Sequence, residues 1–140
     1  YLGSNRAEYY HPNGTLTPGT KRYTLSTDIP KNTFSLGGTW TIDGEKATAG
    51  PGATITHHFT GNKVFLVLRP GTAKNAKVRV LIDGKPANIE QMGEDLKDGM
   101  ITVDQDRLYQ IISIHGPSQE HLLQLEFEAP GTEAFAFTFG

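Results

Sequence analysis

Apolar residues recur at every second position in short segments along most of this chain. Successive side chains of a β-strand point to opposite faces, so this spacing is typical of strands with one buried face. No segment of ten or more residues shows the spacing of an amphipathic helix. The alternating or continuously apolar segments are 34–42, 53–59, 64–68, 78–82, 101–103, 108–114, 123–127 and 135–139.

Pairs of turn-forming residues separate these segments, among them Asp83-Gly84, Asp98-Gly99 and Pro130-Gly131. Glycine supplies the positive φ that a tight hairpin needs, so Asp83-Gly84 predicts a hairpin after the 78–82 strand. Eight or nine short strands punctuated in this way predict an all-β fold, a two-sheet antiparallel β-sandwich of the jelly-roll type. We expect residues 1–20 to be an irregular lead-in and residues 21–140 to form the sandwich.

The composition argues against several classes of function. A formal net charge of −2 offers no basic surface for nucleic acid and no polybasic patch for a membrane. The absence of cysteine excludes a dithiol site and a thiolate nucleophile within these residues. We therefore expect no nucleic-acid partner, no membrane contact and no cofactor. Because the chain begins at Tyr1 without a signal peptide, we also expect it to be a segment of a longer protein.

Histidines and carboxylates give weak indications of a metal or catalytic site. His57 and His58 are adjacent on a predicted strand, so they face opposite sides and do not readily share a metal ion. We expect His57 to lie in the core with one satisfied nitrogen and His58 on a solvated face. Asp95 and Asp98 lie in an acidic, glycine-containing stretch that suits either calcium or a solvated turn. No Gly-x-Ser-x-Gly motif occurs, so no catalytic residues and no enzymatic activity are expected.

Aromatic residues are the better candidates for a binding site, because ligand sites combine an apolar lining with a few placed polar groups. Four rings, Tyr9, Tyr10, Trp40 and Tyr109, could contact a ligand. In the alternative interpretation, Trp40 and Tyr109 lie in the core, and Tyr9 and Tyr10 contact a neighbouring domain. The strand over 108–114 is expected to be central, with Leu108 fully buried. The candidate ligand-binding residues are Tyr9, Tyr10, Trp40 and Tyr109 as ring platforms, with Arg107, Asn32 and Gln110 as hydrogen-bonding groups.

Several stretches together resemble one family over essentially the whole chain. They are Tyr1-Leu2-Gly3-Ser4-Asn5-Arg6-Ala7-Glu8, the Leu36-x-Gly38-x-Trp40 strand, Asp106-Arg107-Leu108-Tyr109-Gln110-Ile111, Pro130-Gly131 and the terminal Ala136-Phe137-Thr138-Phe139-Gly140. This pattern resembles the C-terminal domain of DipZ-type thioredoxin-like proteins, which are associated with cytochrome c biogenesis and thiol–disulfide exchange. The resemblance implies a galactose-binding-like jelly roll similar to carbohydrate-binding modules.

The resemblance also implies a setting for the domain. An upstream thioredoxin-like domain would carry the redox cysteines, and the location would be periplasmic or otherwise extracytoplasmic. We expect a non-catalytic accessory module that binds a glycan or a protein partner. The alternative is a purely structural domain that packs on the thioredoxin-like domain or mediates oligomerisation.

Overall fold

The computed structural model describes residues 1–73 and 76–140, which form twelve β-strands and no helix. The predicted all-β class is confirmed. The strand number exceeds eight or nine because several strands of two or three residues are too short to show alternation. The strands are β1 (Gly19–Tyr23), β2 (Thr33–Ile42), β3 (Ala47–Ala49), β4 (Thr54–Gly61), β5 (Lys63–Arg69), β6 (Ala76–Ile82), β7 (Lys85–Pro86), β8 (Leu96–Lys97), β9 (Met100–Val103), β10 (Arg107–Ser113), β11 (Gln119–Phe127) and β12 (Glu133–Phe139).

The strands pair antiparallel in two sheets that share β2. One sheet has the order β2-β4-β11-β6-β9-β8, with β7 beside the end of β6. The other has the order β10-β5-β12-β3-β2-β1. The predicted two-sheet jelly-roll sandwich is therefore confirmed. The described residues include no helix long and apolar enough to cross a bilayer.

Strand β2 crosses from one sheet to the other at Gly38. Residues 33–37 pair with β4, whereas residues 38–42 pair with β1. Gly38 has a φ of 73°, and a Cβ atom there would overlap the carbonyl group of Gly52. Gly37 and Gly38 both lie inside this strand, which bends at a corner of the sandwich.

The core lies between the inner faces of the two sheets, and Trp40 is one of its largest fully buried side chains. Its Nε1 donates hydrogen bonds to the carbonyl oxygens of Gly37 at 3.0 Å and Thr54 at 3.3 Å. The indole packs edge-to-face on Phe127, with ring centroids 5.1 Å apart. The indole thus fills the corner where β2 changes sheets and satisfies its own N–H there.

The residues that precede β1 pack closely on the sandwich. Leu2 and Leu16 are buried, and the backbone N–H of Leu2 donates to the carbonyl oxygen of Phe135 at 2.9 Å. Tyr10 lies in the core against Tyr23 and Phe34. This segment therefore contributes to the core of the domain, and its boundary at residue 20 stays a prediction.

Two hairpins have the geometry that Asp-Gly pairs favour. Asp83 and Gly84 have φ values of 53° and 82° and connect β6 to β7 in a two-residue turn. The predicted hairpin is confirmed. Asp98 and Gly99 repeat this geometry between β8 and β9, with φ values of 53° and 76°.

Strand β10 differs from its prediction as a central strand. Among the strands it pairs with β5 alone, and its other side is covered by the segment over 91–95. The register shifts after Gln110, so Ile111 and Ile112 are both buried, whereas Leu108 is 47% exposed. The prediction that Leu108 lies in the core was wrong, because its side chain points away from the opposite sheet.

This difference predicts contrasting effects of two alanine substitutions. Ile111→Ala should lower the free energy of unfolding by about 2–5 kcal/mol, because it leaves a cavity in the core. Leu108→Ala should change it by no more than about 1 kcal/mol, since much of that side chain already contacts water. Chemical denaturation of both variants measures the difference, and equal losses would contradict this description of β10.

Candidate functional site

Two predicted ring platforms, Trp40 and Tyr109, are fully buried and present no face to a ligand. These predictions are corrected. The Tyr109 hydroxyl donates to the carbonyl oxygen of Gln105 at 2.7 Å and accepts the backbone N–H of Gln105 at 3.0 Å. It therefore anchors the turn that precedes β10. Tyr10 is also buried, because its ring closes the core beside β2.

Arg107 and Asp95 form a structural pair. The Arg107 guanidinium donates to both carboxylate oxygens of Asp95, at 2.9 and 3.2 Å, and lies 3.9 Å from the centre of the Tyr109 ring. The backbone N–H of Gln110 also donates to Asp95, at 2.8 Å. The hydrogen bonds from Arg107 hold the pKa of Asp95 below its ordinary value, with the Gln110 N–H acting in the same direction.

These contacts differ from the roles in ligand or calcium binding that the sequence suggested for residues 95–110. Arg107 covers Tyr109 instead of reaching a ligand, and the Gln110 side chain accepts the backbone N–H of Glu94 at 2.8 Å. Asp95 is occupied by Arg107, and Asp98 lies in the hairpin turn before β9. Residues 1–73 and 76–140 contain no cluster of three or more histidine, aspartate or glutamate side chains arranged to hold a metal ion.

A cavity of about 330 Å³ opens between the two sheets at one end of the sandwich. The inner face of β4 provides its floor, the end of β12 closes it from the opposite sheet, and the segment before β1 and the loop before β2 form its rim. We call it the aromatic cleft, lined by Tyr9, Asn32, His57, Phe59, Thr60 and Phe139.

Phe139 joins the two sheets within the cleft. Its ring centroid lies 4.7 Å from that of His57 and 5.7 Å from that of Phe59, nearly parallel to the latter. Phe139 is 37% exposed and Tyr9 is 60% exposed, whereas Phe59 is buried. The cleft thus has a sealed aromatic floor and two rings that contact solvent.

Neutral polar groups lie at the rim of the cleft. Asn32 adopts a left-handed conformation with φ 63°, which asparagine tolerates better than most residues. Its backbone N–H donates to the carbonyl oxygen of His58 at 2.7 Å, and this bond fixes the loop against β4. The side chains of Asn32 and Thr60 are exposed. Both are therefore free to exchange hydrogen bonds with a ligand.

His57 is the polar residue in the floor of the cleft. It is only 6% exposed, and its Nδ1 is sealed from solvent without a hydrogen-bond partner in the described part of the chain. Burial lowers the pKa of His57 to about 4. The imidazole is consequently neutral at pH 7.

The expectation that His57 has one satisfied nitrogen fails at Nδ1, which has no hydrogen-bond partner among the described residues, although the backbone of His58 acts on the ring to raise its pKa. Phe34, Phe137 and Phe139 surround the imidazole, at centroid distances of 6.2, 5.2 and 4.7 Å. His58 lies on the opposite face of β4 and is half-buried. Its Nδ1 contacts the carbonyl oxygen of Ile29 at 2.8 Å and its Nε2 contacts Glu120 at 3.0 Å.

The structure brings two of the predicted ligand-binding residues, Tyr9 and Asn32, into the lining of one cavity, and the other predicted residues do not line it. The remaining cleft residues were missed because sequence alternation assigned His57, Phe59 and Phe139 to the core. Two signals were available in the sequence: a histidine among the apolar residues of a strand face, and a phenylalanine at the last position of the final strand.

Two solved structures are similar: a family two carbohydrate esterase from Clostridium thermocellum in complex with cellohexaose, and an active-site mutant of a family two carbohydrate esterase from the same organism. Each is 14% identical with a TM-score of 0.46. The matches cover 87% and 89% of this chain and 31% and 32% of those chains. The chain thus spans about a third of the length of these esterase chains.

No curated protein matches the chain. A family model does match, and its match extends over residues 1–140, the lead-in as well as both sheets. That family is described as the thioredoxin-like C-terminal domain. Because the model spans every strand of the sandwich, the chain belongs to the thioredoxin-like C-terminal domain family.

Proposed function

We propose that this domain is a non-catalytic accessory module of a larger thiol–disulfide oxidoreductase, and that it binds a glycan or a protein segment in the aromatic cleft. Membership of a thioredoxin-like C-terminal domain family supports a place beside a redox domain. The chain has no cysteine, so the redox cysteines of that protein would lie in its thioredoxin-like domain. A role in cytochrome c biogenesis and a periplasmic or extracytoplasmic location belong to the same proposal.

The observation that carries this proposal is the pair of exposed rings, Tyr9 and Phe139, beside a concave surface with a buried imidazole in its floor. Binding sites for small ligands are concave, mostly apolar, and carry a few polar groups that fix orientation. The cleft has this composition, with Asn32 and Thr60 at its rim. Its volume is at the lower end of the range for ligand sites, roughly 300–1,000 Å³.

The chemistry of the cleft supports binding over catalysis. An activated nucleophile needs a base within hydrogen-bond distance, and that base needs an orienting partner. Nδ1 of His57 has no hydrogen-bond partner in residues 1–73 and 76–140, so no orienting partner holds the imidazole as a base for the Thr60 hydroxyl in the same cleft. These groups can hold a ligand, but they do not form a nucleophile–base pair.

Calorimetric titration with a panel of neutral oligosaccharides and of short peptides tests the proposal. Tyr9→Ala should weaken binding of the active ligand about tenfold or more, because it removes the exposed ring. Tyr1→Ala is the matched control, since Tyr1 is also an exposed tyrosine of the lead-in but lies outside the cleft. If no glycan or peptide binds, or if Tyr1→Ala and Tyr9→Ala weaken binding equally, the proposed site is wrong.

One observation favours the structural alternative, in which the domain packs on its thioredoxin-like neighbour. A second groove, of about 360 Å³, lies along the lead-in and is lined in part by Tyr1, Arg6, Glu45 and Phe135. Arg6 stacks on the exposed Tyr1 ring at 5.0 Å. Crosslinking in the full-length protein that maps to this groove, with no ligand found for the cleft, would favour the alternative.

A further inference from the structure

The floor of the aromatic cleft contains unused hydrogen-bonding capacity. A neutral imidazole carries one N–H donor and one acceptor nitrogen, and a buried group of this kind is costly to leave unpaired. The rings around His57 supply neither a strong donor nor a strong acceptor. A phenylalanine or leucine would fill this position without that cost, so packing alone does not explain a histidine here.

The sealed nitrogen indicates which edge of the imidazole faces the cleft. Nδ1 is inaccessible and has no partner, although His57 lines the cavity. Among buried backbone groups an orphan N–H is rarer than an under-satisfied acceptor, and by the same reasoning we assign the lone pair to Nδ1 and the proton to Nε2. The nitrogen left to meet a ligand is then a donor.

The lining of the cleft also restricts the charge of its occupant. None of its six residues is lysine, arginine, aspartate or glutamate, so an ionised ligand would lose its hydration without gaining an opposite charge. An extended peptide would need partners for a series of backbone N–H and C=O groups, and the cleft offers only a few polar side chains. A sugar ring has apolar C–H faces for the aromatic rings and hydroxyls that both donate and accept.

Building on the proposed function, we infer that the aromatic cleft takes a neutral sugar ring, and that a sugar oxygen accepts a hydrogen bond from Nε2 of His57. The exposed rings of Tyr9 and Phe139 contact the apolar face of the sugar, and Asn32 and Thr60 reach its remaining hydroxyls. His57 is a specificity residue. Its N–H forms a hydrogen bond with a hydroxylated ligand, whereas an apolar ligand leaves that N–H buried and unpaired, which weakens binding.

Three variants of the 140-residue chain test this inference with a panel of neutral β-linked glucose, N-acetylglucosamine and mannose oligomers. His57→Leu should keep or raise the melting temperature and weaken binding of the tightest-binding oligomer at least tenfold. His57→Gln, which retains an N–H donor, should bind more tightly than His57→Leu. Tyr9→Ala tests whether the oligomer binds in the cleft, independently of the role of His57.

A measurement on the unaltered protein covers the case in which His57→Leu does not fold. The imidazole ¹⁵N resonances report both the tautomer and its hydrogen bonding. We expect an Nε2-protonated ring whose Nε2 resonance shifts on saturation with the oligomer. An unchanged resonance at saturation would overturn the inference.

The outcomes separate this inference from the function on which it rests. If Tyr9→Ala loses binding while His57→Leu binds the oligomer as the wild type does, the role of His57 is wrong and the cleft remains a binding site. If peptides bind in the cleft and sugars do not, the ligand class is wrong and the accessory binding function stands. If neither class binds, both proposals fail.

Discussion

Replacing Gly38 with alanine is expected to destabilise the domain by more than about 3 kcal/mol, enough to leave much of a marginally stable domain unfolded. Gly38 has a φ of 73°, a conformation that costs other residues about 1–2 kcal/mol. In addition, the new Cβ would overlap the backbone carbonyl of Gly52, which cannot move without disturbing the corner where β2 changes sheets. Chemical denaturation gives the loss directly.

Gly99→Ala is the matched control for this substitution. Gly99 has a nearly identical φ of 76°, but a Cβ atom there meets nothing within 4 Å. Gly99→Ala should lower the free energy of unfolding only by the conformational cost, about 1–2 kcal/mol. If Gly38→Ala and Gly99→Ala have equal effects, the close approach of β2 to Gly52 does not stabilise the corner.

The second large effect is a loss of stability in mild acid, caused by His57. The unfolded chain binds a proton at this histidine with a pKa of about 6.5, whereas burial lowers the folded-state pKa to about 4. Between these values the unfolded state binds more protons, so stability falls as the pH decreases. Above pH 6.5 the histidine is neutral in both states and does not lower the free energy of unfolding. By pH 4 its protonation in the unfolded state has lowered the free energy of unfolding by about 3 kcal/mol.

Denaturation of the wild type and His57→Leu at a series of pH values isolates this contribution. Carboxylates with lowered pKa values, such as Asp95, also lose stabilising interactions on acidification, but they do so equally in both proteins. The difference between the two proteins should therefore widen from pH 6.5 to pH 4, with the wild type becoming relatively less stable. Parallel curves across this range would show that His57 is not sealed in the folded state.

Much of the fold follows from patterns that are local in the sequence. Alternation and Asp-Gly turns identify most strands and the Asp83-Gly84 hairpin, because both depend on neighbouring residues. The position of Leu108 could not be found in this way, since the bulge after Gln110 changes which side chains face inward. The crossing at Gly38 was also hidden, because a corner depends on the approach of Gly52 from a distant loop.

The candidate site was harder to predict, since its residues come from separate parts of the chain. Tyr9 and Asn32 were identified as candidates by residue type. His57 and Phe139 follow strand alternation as core residues do, and only the meeting of β4 with the end of β12 makes them part of a cavity. Trp40 and Tyr109 show the converse error, because a suitable ring is of no use to a ligand when the fold buries it.

The most direct test of the aromatic cleft is a chemical-shift map of the ¹⁵N- and ¹³C-labelled domain titrated with the tightest-binding neutral oligosaccharide. The single tryptophan, Trp40, is fully buried, so its fluorescence is a poor substitute. We predict saturable shifts concentrated at Tyr9, Asn32, His57, Thr60 and Phe139. Saturable shifts that instead cluster at the lead-in groove around Tyr1 and Arg6, or no shifts with any sugar of the panel, would contradict the account.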